Sequence, residues 1–137
     1  MDRDTAQAWL DDYVAAWKSY DRDAITALFA EDVAYRYHPY DEPLVGRDAV
    51  VDSWLGESDA VSSGGASTRD APDTYDAHYT PVAVDGDTVV ATGRSTYRET
   101  PDGPVTEVFH NCFVIRFDAE GRCREFTEYF IKQPDAV

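Results

Sequence analysis

The spacing of apolar residues changes along this chain, and that change decides most of what it can fold into. Between Asp4 and Tyr20, Trp9, Leu10, Tyr13, Val14 and Trp17 form a single stripe at helical period. From Thr74 onward the period is two. The runs "TYDAHYTPVAV", "DTVVATGRSTYRE", "PVTEVFHNCFVIRF" and "GRCREFTEYFIK" are rich in β-branched and aromatic residues, and the turn signals "DG", "PDG" and "DAEG" separate them. Helices followed by an antiparallel meander predict an α+β domain, with the N-terminal helices packed on one face of a strongly curved, mostly antiparallel sheet.

The segments between follow the same reading. Asp4 with Gln7 makes a capping box for the first helix, and Asp21 caps a shorter one whose Ile25, Leu28 and Phe29 face inward. Val33 to Tyr37 is a strand that Pro39 ends, and "GRDAVVDSWL" is a third helix burying Val50, Trp54 and Leu55. Residues 56–73, "GESDAVSSGGASTRDAPD", lose all periodicity and form either a lid or a disordered loop. At 137 residues the chain has room for one core, so residues 1–137 are expected to form a single domain with any pocket inside it.

Charge narrows the function. A net charge of −15 argues against nucleic acid and anionic membranes, which reward clustered Lys and Arg. Lys18 and Lys132 are the only lysines, and abundant Asp in their place suits a protein that stays dissolved at high salt. No basic leader and no bilayer-length apolar run occur, so a soluble, cytoplasmic protein is expected. Cys112 and Cys123 are expected as reduced thiols, set off register on neighbouring strands.

The last hairpin can be read residue by residue. With "DAEG" as a four-residue loop and Gly121 left-handed, Phe117 pairs with Arg122, Phe113 with Phe126, Asn111 with Glu128 and Phe109 with Phe130. One face then holds a polar pair between aromatic pairs. The other places His110 opposite Tyr129, Cys112 opposite Thr127 and Arg116 opposite Cys123, a mixed surface suited to a subunit contact. Arg94 faces outward with His110 if "PDG" is a three-residue turn, and inward if the turn has four. In the first case Ala91, Gly93 and Ser95 line the inner face and leave room for a ligand.

The order helix, helix, strand, helix, long loop and four strands, with "YVAAW", "ALFAEDV", "HP", "GRDAV" and "RFDAEGR", resembles the nuclear transport factor 2-like, or SnoaL-like, superfamily from about Trp9 to Phe130. That resemblance implies a cone in which sheet and helices enclose one deep pocket, and a homodimer through the outer sheet face. The N-terminal half is similar to the ketosteroid isomerases. There Tyr13 matches the tyrosine that holds the oxyanion, His38 stands where those enzymes keep an aspartate base, and Phe113 stands where they keep a second, protonated acid.

The residues themselves suggest the same kind of chemistry. His38, with an unperturbed pKa of about 6.5, is either a general acid or base or a turn histidine bonded to Asp41 or Glu42. Glu128, set among Phe113, Phe126 and Phe130, is expected to be desolvated, with a raised pKa unless a donor such as Asn111 or His38 compensates, and is either a catalytic acid or base or a structural hydrogen-bond anchor. Tyr13 and Trp17 lie one helical turn apart, and Trp54 is either a pocket wall or a core residue; the buried Tyr13 hydroxyl needs a partner, which a substrate oxygen can be. His38, His78 and His110 have no metal-site spacing, and neither a nucleophile elbow nor a phosphate loop occurs, so no metal and no cofactor are expected.

The expectation is therefore a cofactor-independent isomerase, lyase or cyclase acting on a small apolar or aromatic molecule. His38, Glu128 and Tyr13 are its catalytic candidates, and Trp17, Trp54, Asn111, Phe113, Phe126 and Phe130 its ligand contacts. The rivals are a binding protein without chemistry and a protein-interaction module that uses the outer sheet face.

Overall fold

The structure, a computed structural model, describes residues 1–56 and 70–135. Helices α1 (Arg3–Ser19) and α2 (Arg22–Leu28) lead into strand β1 (Phe29–Arg36) and the short β2 (Leu44–Val45). Helix α3 (Arg47–Trp54) follows, then β3 (Tyr75–Asp85), β4 (Thr88–Arg98), β5 (Val105–Phe117) and β6 (Cys123–Lys132). The strands form one six-stranded sheet in the order β2-β1-β6-β5-β4-β3, antiparallel except where β1 runs parallel to β6. The lid-or-loop expectation for 56–73 lies largely outside the described residues. No described helix is long and apolar enough to cross a membrane.

Local chemistry sets the elements. Asp2, not Asp4, caps α1 by accepting from the Thr5 amide at 2.8 Å, while Gln7 donates instead to Asp11 and to the Tyr79 carbonyl. That last bond, with one from Arg3 to the Pro81 carbonyl, ties α1 to β3. The stripe on α1 buries Ala6, Trp9, Leu10, Tyr13 and Ala16 against the inner sheet face. Asp21 caps α2 as the sequence suggests, accepting from the Asp23 amide. Phe29 opens β1 rather than ending the helix, yet it is still fully buried. Tyr35 of β1 lies beside Phe126 of β6, their rings stacked at 4.6 Å and 3°.

The register of the last hairpin differs from expectation in an instructive way. Asp118 receives the turn: its carboxylate accepts from Glu120 and Arg122, its amide donates to the Arg122 carbonyl, and Gly121 takes φ 81. Phe117 therefore pairs with Cys123, one residue on from the expected Arg122. A bulge next to Arg116 slips the ladder by one more, so Phe113 faces Glu128, Asn111 faces Phe130 and Phe109 faces Lys132. On the outer face His110 meets Ile131, Cys112 meets Tyr129, and Arg116 meets Glu125 rather than Cys123. One slip would turn every side chain over, whereas two restore the face. Hence the inward set survives although each expected partner is wrong.

Arg94 pairs with His110 on the outer face, which leaves Ala91, Gly93 and Ser95 inward. The space at Gly93 is occupied, however. A Cβ there would stand 2.0 Å from the His78 carbonyl oxygen and 2.6 Å from the Tyr79 ring, so glycine is required by close approach.

Candidate functional site: an aromatic chamber with one carboxylate

Helix α1 covers the inner face only as far as Ser19, and beyond Trp17 the sheet continues without it. At that end lies a chamber of about 190 Å3 lined by Trp17, Tyr37, Ser95, Tyr97, Phe109, Asn111, Glu128 and Phe130. Trp17 stacks on Trp54 of α3 at 4.2 Å, and the Tyr37 hydroxyl is 2.8 Å from that of Ser53, so both helices brace the wall. Tyr97, Phe109 and Phe130 follow edge to face at 5.6 and 5.7 Å, near right angles.

A short polar chain crosses this wall. The Ser95 hydroxyl donates to Asn111 Oδ1 at 3.1 Å, and Asn111 Nδ2 donates to Glu128 Oε2 at 3.3 Å. Ser95 and Asn111 are both buried. Glu128 makes no ion pair with any described residue, and its one side-chain hydrogen bond comes from a neutral amide. Burial pushes its carboxyl up to about 7, against which the Asn111 bond acts only in part. Around it the hydroxyls of Tyr13, Tyr35, Tyr75, Tyr79 and Tyr97 are all pushed above the ordinary tyrosine range, by burial first and with the Glu128 charge among the further causes. They remain protonated donors at any physiological pH. The arrangement is thus a carboxylate able to gain or lose a proton near neutrality inside an aromatic wall.

Of the expected ligand contacts, Trp17, Asn111 and Phe130 line this chamber together with Glu128. Trp54, Phe113 and Phe126 do not: they are at most 1% exposed and belong to the packed core. Alternation along a strand reports the face of a residue but not its depth, and these lie beneath α1. Tyr13 is also buried in that core, its ring 5.6 Å from Phe126 and 5.2 Å from Trp54. Tyr37, Ser95, Tyr97 and Phe109 complete the wall without having been singled out as contacts, although each continues an alternation already visible through Tyr35, Ala91 or Asn111.

His38 lies elsewhere. Strand β1 ends at Arg36, and the chain turns so that His38 Nδ1 sits 2.8 Å from Asp41 Oδ2, with Tyr40 stacked on the imidazole at 5.1 Å. This is the turn histidine of the alternative reading. Its ring touches Phe130 at 5.3 Å but borders a wider cleft of about 850 Å3, shared with Tyr40, Thr92, Arg94, His110, Tyr129 and Ile131. Glu128, Asn111 and Phe130 border both spaces, so His38 shares the wider cleft with Glu128 but does not line the chamber. No group of three or more His, Cys, Asp or Glu among the described residues is placed to hold a metal ion.

Three helices on a curled, open six-stranded sheet with a chamber on its inner face define an α+β domain of the nuclear transport factor 2-like cone type. The SnoaL-like domain family matches residues 10–126, and the chain belongs to that family. A "putative ketosteroid isomerase" from Kribbella flavida DSM 17836 shares the fold with TM-score 0.64 at 15% identity, over 99% of this chain and 84% of that one. An NTF-2 like protein of unknown function from Burkholderia xenovorans LB400 gives TM-score 0.64 at 14% identity, over 98% and 88%. At such identities the likeness is one of fold. No match is found among curated proteins.

Proposed function

We propose that this SnoaL-like domain holds a small, largely apolar molecule in the inner chamber and moves a proton on it without a cofactor, as an isomerase, lyase or cyclase does. The observation that carries this reading is Glu128, a carboxylate held in an apolar wall by a neutral donor and tuned to about 7. In this reading Glu128 takes the proton from one carbon and returns it to another. The Ser95–Asn111 chain keeps the carboxylate oriented, and the Tyr37 hydroxyl on the chamber wall supplies a hydrogen bond to negative charge that develops on a ligand oxygen, whereas Tyr13 stays in the core. His38 is given no step, because it is bonded to Asp41 and does not line the chamber. The chamber, at about 190 Å3, lies below the usual range of ligand pockets and favours a single-ring substrate.

Cyclohex-3-enone tests this directly, since its conversion to the conjugated enone needs only one proton moved and is followed by ultraviolet absorbance. Acceleration that rises through about pH 7 and falls at least about 100-fold in Glu128→Gln is expected. Binding of the ketone without acceleration would favour a ligand-binding protein with no chemistry. In the same proposal the outer face pairs two copies of the chain, a reading supported by Tyr129 and Ile131, 46% and 74% exposed there beside Tyr40. Light scattering is expected to give twice the chain mass, and Ile131→Asp a monomer.

A further inference from the structure

The chamber's composition says more about its occupant than that it is small. Five of its eight lining residues are aromatic, and none is Lys, Arg or His. Arg94 pairs with His110 on the far side of the sheet, and His38, which touches Phe130 from outside the chamber, is bonded to Asp41. Glu128 thus sits among ring faces with no positive side chain among the described residues to balance it. A second carboxylate, Asp70, lies close enough to act on Tyr97, and among the described residues its side-chain partner is the Tyr20 hydroxyl. The successive rings Tyr97, Phe109 and Phe130 meet at 88° and 77°, so they form the corners of a box rather than a flat wall. Ring faces carry partial negative charge, and a box of them closed by a carboxylate is complementary to a compact organic cation.

From this complementarity we infer that the chamber selects ligands bearing a positively charged nitrogen, a substituted ammonium group seated among Trp17, Tyr37, Tyr97, Phe109 and Phe130 and facing Glu128. The inference rests on the chamber being the ligand site and names the chemical class it takes. Anionic molecules are excluded by the same features, because Glu128 and the overall charge of −15 oppose them. Neutral isosteres keep the apolar contacts but lose the attraction to Glu128 and to the ring faces.

Choline, its neutral isostere 3,3-dimethylbutan-1-ol and the anion 3,3-dimethylbutanoate make the test, at constant ionic strength. Binding is read by calorimetry and by the ring-current upfield shift of the methyl protons, which a cation held loosely on the acidic surface does not show. Choline is expected to bind at least about tenfold tighter than the alcohol, with the anion weakest. Glu128→Gln, which alters one of 27 acids, should shrink the preference to within about threefold. Tyr97→Phe should keep the preference and Tyr97→Leu reduce it. Equal binding of choline and the alcohol, failure of choline to bind, or a preference untouched by Glu128→Gln would each overturn the inference. Its fate is separable from that of the proton-transfer reading: enone isomerisation without cation preference leaves that reading standing, and cation preference without isomerisation leaves this one.

Discussion

The two ends of the inner sheet face are built from the same strands with the same alternation, yet one end is solid and the other hollow. At the closed end Phe113, Ile115 and Phe117 of β5 and Phe126 of β6 are buried beneath α1, where Trp9 meets Phe117 at 5.4 Å and Tyr13 meets Phe126 at 5.6 Å. At the open end the next inward positions, Asn111 and Phe109 on β5 and Glu128 and Phe130 on β6, border a chamber. The strands do not change between the two; the helix does, because α1 ends at Ser19 just after Trp17. An alternating strand under a helix makes core, and the same strand past the helix end makes a lined cavity in which polar residues find a use.

The largest effect expected from this contrast is on stability. Phe126→Ala at the closed end should cost about 3–5 kcal/mol, whereas Phe130→Ala at the open end, already 41% exposed, should cost less than about 1.5 kcal/mol, both by urea denaturation. Equal costs would mean that the two ends are packed alike. At the boundary between them, Gly93→Ala drives a Cβ into the His78 backbone and should cost about 2–3 kcal/mol, with strand separation between β3 and β4 visible in amide exchange.

Glu128 sharpens the comparison through pH. Its carboxyl is raised from an ordinary 4.5 to about 7 by burial, so between those values the folded state holds a proton that the unfolded chain has released. Stability from this group is therefore complete below about pH 4.5 and declines as pH rises through about 7. Glu128→Gln should leave stability at pH 4 unchanged and raise it at pH 8 by roughly 2–3 kcal/mol, while losing proton transfer. An unchanged pH dependence would place the carboxylate in water. The smallest effect belongs to His38→Gln, which should leave enone turnover within about twofold, since His38 is bonded to Asp41 and does not line the chamber.

How much of this was legible before the structure follows from what alternation can encode. The switch from helical period to period two contains the α+β class and the inward set Asn111, Phe113, Phe126 and Glu128, because parity survives any even slip. It does not contain the register, which depends on how Asp118 folds the turn back and on the bulge beside Arg116. Nor does it contain depth. Phe113 and Phe130 alternate equally well, and only the length of α1 makes one core and the other a wall. Nor does it contain the course of the chain after β1: the strand stops at Arg36, and the turn sets His38 against Asp41 and the Phe130 ring, off the chamber lining. The Asn111–Glu128 contact was foreseen as a direct cross-strand pair and exists as a diagonal one.

One measurement reaches the centre of this account. With Glu128 identified through Glu128→Gln, a carboxyl carbon-13 titration of the folded protein reads the ionisation of that group alone. A midpoint near 7, raised from the ordinary 4.5 of a glutamate, is the predicted result. A midpoint near 4.5 would mean that water reaches the carboxylate freely, and the proton-transfer role of Glu128 would not stand.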